Sequence, residues 1–165
     1  MNTVDLAKDI VSLCRKYKYE FNSTKIQKLL YLFLGFALMN DAIDETNQFD
    51  ELPEAWPYGP VFPTVHKNYH EIIKHNNDDI SLKDKNLEEI LEKTVKFWGR
   101  ISATKLSEWS HKEGSPWYEL IEIGKMGWKS PIDQNSIRNY FLDSVQNVLE
   151  ETQESGIRGF LSRIF

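Results

Sequence analysis

His66 and His70 are the first side chains in this sequence whose spacing suggests chemistry. Four residues apart, they would share one helix face, which is the arrangement of a zinc-binding pair. The run is HKNYH, however, with Lys67 where a metalloprotease motif needs a glutamate. His75 is offset by five residues from His70 and turns off that face. Satisfied or solvent-facing histidines are the better reading, and no metal or cofactor is expected. His111 lies in WSHKEGSPW between Trp109 and Trp117. As a general base it would need a nucleophile and an orienting acid, and only Ser110 and Glu113 are near in sequence. Closing a helix end while the tryptophans pack is the simpler role for it. Cys14 falls at helical spacing with Ile10 and Tyr17 and reads as an inert thiol on a packed face. Glu88, Glu89 and Glu92 fall on the polar side of an amphipathic helix, a solvated face rather than a carboxylate pair. The residues therefore argue for a non-enzymatic protein, with a small enzyme using His111 and a nucleic-acid-binding regulator as alternatives.

Composition narrows the setting. The 165 residues, 41% hydrophobic and 13% aromatic, are enough for one core and few for two. Twenty Lys and Arg against 25 Asp and Glu leave a net charge of −5, which gives no general attraction to a phosphate backbone. A single cysteine permits no internal disulfide and fits a reducing compartment. The opening MNTVDLAKDIV lacks the pattern of a signal peptide, and the most apolar run, Leu29 to Met39, is too short for a membrane span. A cytoplasmic protein is expected, with no membrane partner, nucleic acid an improbable one and homo-oligomerisation open.

The elements that would position these residues are helical. Val4, Ala7, Ile10, Val11, Cys14 and Tyr17 mark a helix over Thr3 to Tyr17. A second follows FNST, with Ile26, Leu29, Leu30, Phe33 and Ala37 on one side and Leu32, Leu34, Phe36 and Leu38 on the other. It should be the central helix. The segment from Asp41 to Glu54 holds six acidic residues and no basic one and reads as a negatively charged connection, with a short extended piece around Phe49 to Trp56. WPYGPVFP then combines three prolines and Gly59 into a preorganised stretch that fixes Trp56 and Tyr58, and Pro63 starts a helix running on through Ile73. A helix from about Asp84 to Trp98 is expected to end on Gly99 as a C′ residue. Ser102 and Ser115 cap shorter helices, GKMGWKSP is an irregular connection, and Asp133 caps the last long helix with Ile132 and Ile137 as a staple. The expected fold is mostly α: a compact single-domain bundle of about five to seven helices around a central apolar helix, with a Pro/aromatic-rich irregular segment. Residues 1–150 form the domain. Residues 151–165 form an amphipathic C-terminal tail in which Ile157, Phe160, Leu161 and Ile164 share helical spacing, read first as docked on the domain and second as contacting a partner.

Several separated stretches then resemble one family. STKIQKLLYLFLGFALM is similar to the pattern KLQKLLYFAQGWYL of the Panacea domain family, the SocA-like or phage-associated GepA-like domain. EAWPYGPVFPTVHKNY resembles EAWxYGPVxPxxY, FWGRISATKLSEWSHKEGSPW resembles YGxLSxxxLxxxTHxExPW, and IDQNSIRNYF resembles the usual closing segment. The resemblance covers roughly residues 21–141. It departs at Phe33 and Leu34, where Ala and Gln are usual, at His66 and at Ser110. It implies a mostly helical antitoxin domain of toxin–antitoxin pairs, one type of which delivers its toxin to a cytoplasmic protease as a proteolytic adaptor. Lys25, Gln27, Lys28, Tyr31, Trp56, Tyr58, Gly59, Pro60, His111, Pro116 and Trp117 fall on the signature positions, as candidates for partner binding. The implied partner is a cognate toxin, with a protease as a second one. The acidic segment would steer a basic toxin, and Trp56, Tyr58 or the tail would anchor it.

Overall fold

The computed structural model describes residues 1–77 and 79–155, with side chains described through residue 144. One helix organises it. α2 (Ser23–Met39) is buried without a break from Lys25 to Gly35 and again at Ala37 and Leu38, because its apolar residues occupy every side of the cylinder. Helices α1 (Thr3–Lys16), α5 (Lys85–Trp98), α6 (Ala103–Ser110) and α8 (Gln134–Ser155) all pack against it. A membrane-spanning role has no support in this helix, and among the described residues none is long and apolar enough to cross a membrane.

Local capping explains where the helices start. Asn2, Asn22, Asp84, Ser102 and Ser115 each accept a hydrogen bond from the first turn of the helix they precede. Asp133 does the same for α8 through the amides of Asn135 and Ser136, and Ile132 and Ile137 are both buried beside it. The helix expected from Pro63 to Ile73 is instead two short ones, α3 (Pro63–Lys67) and α4 (Tyr69–Ile72). Asn68 separates them at φ −97° and ψ 15°, its side-chain amide donating to the Thr64 carbonyl at 2.8 Å. That break, a one-turn α7 (Pro116–Tyr118) and a π-helical turn over Glu119–Ile123 carry the tally of helical segments past seven. α8 runs beyond residue 150. The remaining tail, with Ile157, Phe160, Leu161 and Ile164, lies outside the described residues, as do the side chains of Val145, Val148 and Leu149.

The extended piece expected around Phe49 to Trp56 ends in a strand, and the segment expected to be irregular supplies its partner. β1 (Glu54–Trp56) and β2 (Gly59–Val61) form an antiparallel hairpin in which Trp56 pairs with Gly59, so Pro57 and Tyr58 make the turn. A second edge is added by main-chain bonds from the Ala55 amide to the Ser130 carbonyl and from the Lys129 amide to the Ala55 carbonyl, both 2.9 Å. The acidic connection is tied down at Phe49, whose ring lies between Phe33 and Phe62 at 5.9 Å from each. Its carboxylates are also engaged. Asp50 receives the Thr3 amide, Glu51 bonds Thr3 and Thr64, and Asp41 pairs with Arg138 at 2.8 Å. Except for Arg138 these donors are neutral, so the rest of the segment keeps its negative charge.

Two glycines make close approaches. Gly99 is expected as a left-handed C′ residue; it is the C-cap at φ −61°, and its role is steric, because a Cβ would meet the Tyr19 ring at 2.5 Å. Gly35, in the middle of α2, carries the ring of Phe141 from α8, and a Cβ there would sit 2.2 Å from Phe141 Cζ. Alanine ordinarily stabilises a helix by about 1 kcal/mol over glycine. At Gly35 overpacking should reverse the sign: we expect Gly35→Ala to destabilise by roughly 1–3 kcal/mol in urea unfolding, with Phe141→Leu in the same chain recovering part of the loss.

Candidate partner-binding surface

The first turns of α2 carry polar side chains into the interior. Each finds a main-chain partner in another segment. Lys25 Nζ donates to the Gly99 carbonyl at 2.9 Å, at the end of α5 where the helix dipole favours a cation. Gln27 bonds Phe62 twice, its amide donating to the carbonyl at 3.1 Å and its oxygen accepting from the Phe62 N–H at 2.8 Å, as a neighbouring strand would. Lys28 Nζ donates to the Pro60 carbonyl at 2.9 Å. The KIQK sequence is therefore a clasp that fixes β2 and the residue after it.

Gly59 sits directly over Lys28. Its φ of 96° lies in the left-handed region, and a Cβ would fall 2.4 Å from Ser110 Oγ and 2.8 Å from Lys28 Nζ. From the other side α6 closes on the turn. Ser107 Oγ donates to the Tyr58 carbonyl at 3.1 Å, and His111 Nε2 lies 3.1 Å from the Pro57 carbonyl. His111 is the C-cap of α6, with Nδ1 2.6 Å from the Ser107 carbonyl and its ring edge-on to Trp117 at 4.2 Å. Trp117 Nε1 donates to the Trp56 carbonyl at 2.8 Å. Pro116, at the first position of α7, is buried beneath it, and Ser115 Oγ donates to the Ser110 carbonyl at 3.1 Å. Seven of the eleven sequence candidates thus belong to the hairpin or contact its main chain: Trp56, Tyr58, Gly59 and Pro60 lie in it, and Lys28, His111 and Trp117 bond or face its carbonyls.

The chemistry of this cluster is positional. Both ring nitrogens of His111 face main-chain carbonyls, and Ser110 Oγ, 3.5 Å away and buried, already donates to the Ser107 carbonyl at 2.8 Å. A base and nucleophile would need the opposite arrangement, with the hydroxyl donating to the ring in an open pocket. Cys14 is buried, and burial pushes its thiol up to about 11, away from nucleophilic use at neutral pH. His66 and His70 sit on separate short helices, the His66 ring tilted against Trp56 at 5.0 Å, and among the described residues no group of three or more His, Cys, Asp and Glu is placed to hold a metal.

Exposure separates the candidates further. Lys25, Gln27, Lys28, Tyr31, Gly59, Pro60, Pro116 and Trp117 are buried, Trp56 and His111 are half-buried, and Tyr58 alone is open, at 77%. Tyr31 belongs to the core, its ring 6.1 Å from both Trp109 and Phe141, and burial drives its phenol upward. Beside the turn stand residues that sequence reasoning passed over as a plain connection. Trp128 is 55% exposed and stacks on Trp117 at 6.2 Å, Lys129 Nζ lies 5.3 Å from the centre of the Trp56 ring, and Ile123 and Met126 are also exposed. The available signal was a methionine and a tryptophan placed around Gly127, apolar bulk in a segment too irregular to bury it.

Lys28 gives the clasp a pH signature. Burial alone lowers its ammonium from 10.5 to about 7. Below about pH 7 folded and unfolded chains both hold the proton, and the folded state bears the full cost of a buried cation. Between that value and 10.5 only the unfolded chain holds it, so this group makes stability rise with pH, then level off. We expect Lys28→Met to flatten that rise in urea unfolding followed from about pH 6 to about pH 10, even though it leaves the Pro60 carbonyl unpaired. An unchanged slope would show that Lys28 is solvated in the folded state.

Comparison with known proteins agrees with these features. The family model described as "Antitoxin SocA-like, Panacea domain" matches residues 26–118, from the foot of α2 to the end of α7. The curated protein "Antitoxin SocA" of Caulobacter vibrioides (strain NA1000 / CB15N) is 31% identical over 107 residues, covering 56% of this chain and 55% of the relative. The chain therefore spans about half the length of the curated relative it matches. No solved structure matches. The matched span contains Gln27 and Lys28 of the clasp, the hairpin, His111 and Trp117, and the chain belongs to the SocA-like Panacea domain family of antitoxins.

Proposed function

We propose that this protein neutralises a cognate toxin by direct protein–protein binding, without chemistry of its own, and that the hairpin tip with Trp128 anchors the toxin. The observation that carries the reading is the contrast at the turn. Tyr58 is exposed while every residue that holds its backbone is buried or half-buried, so an aromatic side chain is presented on a main chain fixed from two sides. Preorganised aromatics lose little entropy on binding and are the usual anchors of protein interfaces. Membership in an antitoxin family and likeness to a protein named as an antitoxin support a toxin as the partner.

In this reading the buried signature residues act as positioning residues and Tyr58 and Trp128 make contact. The binding unit is the helical domain of residues 1–150, and the negative charge of the Asp41 to Glu54 segment draws a basic toxin toward it. Neutralisation takes one of two forms: covering the toxin's active surface, or handing the bound toxin to a cytoplasmic protease. A nucleic-acid-binding role is the weaker reading, since the chain carries a net charge of −5.

The test is growth of cells expressing the small gene adjacent to this one, with and without this protein, followed by co-purification of the two products. Rescue with a stable complex is expected; a harmless neighbour that does not co-purify would refute the reading. Rescue that disappears in a protease-deficient host identifies delivery. Within the complex, Tyr58→Ala together with Trp128→Ala should weaken affinity by about 10- to 1000-fold in calorimetry while leaving the unfolding midpoint unchanged.

A further inference from the structure

A second surface lies over the middle of the bundle, apart from the hairpin. Phe36 is one of the few α2 side chains left half-buried, and its ring meets Trp98 of α5 at 6.1 Å and Phe141 of α8 at 5.2 Å. Above it opens a groove of about 740 Å³ that runs along α5 and includes no residue of the hairpin. Ile90 and Phe97, both half-buried, continue the apolar floor.

The rim is basic in a chain that is acidic as a whole. Lys93, Lys96 and Arg100 line it against a single carboxylate, Glu89, which pairs with Lys93. Arg100 stacks on Phe97 with its guanidinium carbon 4.8 Å from the ring centre, and Nε donates to the Phe97 carbonyl at 3.1 Å. Neither Arg100 nor Lys96 has a carboxylate partner among the described residues. Positions 90, 93, 97 and 100 recur at three and four residues, so apolar and cationic groups form one stripe. The lined stretch of α5 from Asn86 to Trp98 is about 18 Å long, a little over three helical turns.

We propose that this groove docks an amphipathic helix of a partner protein, one that sets apolar side chains on Phe36, Ile90 and Phe97 and carboxylates against Lys96 and Arg100. An apolar floor with cations on one edge is the complement of an acidic helix laid lengthwise. A polyphosphate backbone would meet the cations and leave the rings uncovered. The proposal does not rest on the hairpin reading, and the two surfaces can be occupied by different segments.

The test uses the full chain and a fluorescein-labelled synthetic helix with leucines on one face and glutamates on its flanks, compared with the same helix carrying lysines. Saturable binding of the glutamate peptide is expected by fluorescence anisotropy, and the lysine peptide should bind far less. Lys96→Glu with Arg100→Glu should weaken the glutamate peptide at least about 10-fold, and Tyr58→Ala should leave it unchanged. Both variants alter exposed side chains and should unfold at the wild-type midpoint. Absence of binding, equal binding of the lysine peptide, or indifference to the charge reversal would overturn the proposal. So would binding that emerges only after removal of residues 156–165, since the groove would then be occupied by the chain itself.

Discussion

The hydrogen bond from Lys28 to the Pro60 carbonyl is the constraint on which the partner-binding account depends. Placing an ammonium in the interior is unfavourable unless a strong acceptor meets it, and here a single main-chain oxygen does so at 2.9 Å. Gln27 on the preceding residue holds Phe62 by both its amide groups, and Lys25 secures the end of α5 one turn earlier. A helix that could have been apolar throughout therefore uses its first turns to fix loops. Burying the polar groups lowers stability relative to an apolar core but makes the position of the hairpin specific, since each unmade bond would leave a buried group unsatisfied.

From that foundation the rest follows in sequence. β2 is held from below by α2, the turn is held from α6 by Ser107 and His111, and β1 is held by Trp117 and by the Lys129–Ser130 edge. Gly59 must be glycine because both its backbone angle and the atoms around it exclude a side chain. The product is a rigid turn with one exposed aromatic residue, next to a second exposed aromatic, Trp128. The histidine at its centre lies between the Ser107 and Pro57 carbonyls and packs on Trp117, a positional role. Histidine, lysine and serine are each used here to hold main chain.

The helical architecture was largely legible in the sequence because its periodicity and caps are local. α1 and α5 start and stop within one residue of the bounds that apolar spacing gives, and α2 starts at Ser23, two residues before the expected start after FNST. The helix expected from Pro63 through Ile73 is interrupted at Asn68, whose ψ of 15° turns the chain off the helical path although its main-chain amide still donates to the Thr64 carbonyl, a local angle that apolar spacing does not report. The hairpin was hidden for a related reason. Its strands are three residues each and β2 contains a proline, so beyond the extended piece ending at Trp56 neither alternation nor propensity marks the pairing, and tertiary contacts from α2 and α6 hold it. Trp128 was overlooked because an exposed tryptophan looks like a core residue in composition. The basic stripe of α5 was masked by the glutamates interleaved with it, of which Glu92 turns away to bond Lys16 and Tyr17.

The most direct test of the central claim is hydrogen exchange on the free protein and on its complex with a toxin that it neutralises in the growth test. In the free protein the Phe62 amide, bonded to Gln27, should already exchange slowly, and complex formation should add protection in the peptides covering Trp56 to Gly59 and Ile123 to Trp128. Fast exchange at Phe62 before binding, or protection confined to other parts of the chain, would contradict a preformed hairpin surface as the toxin-binding site.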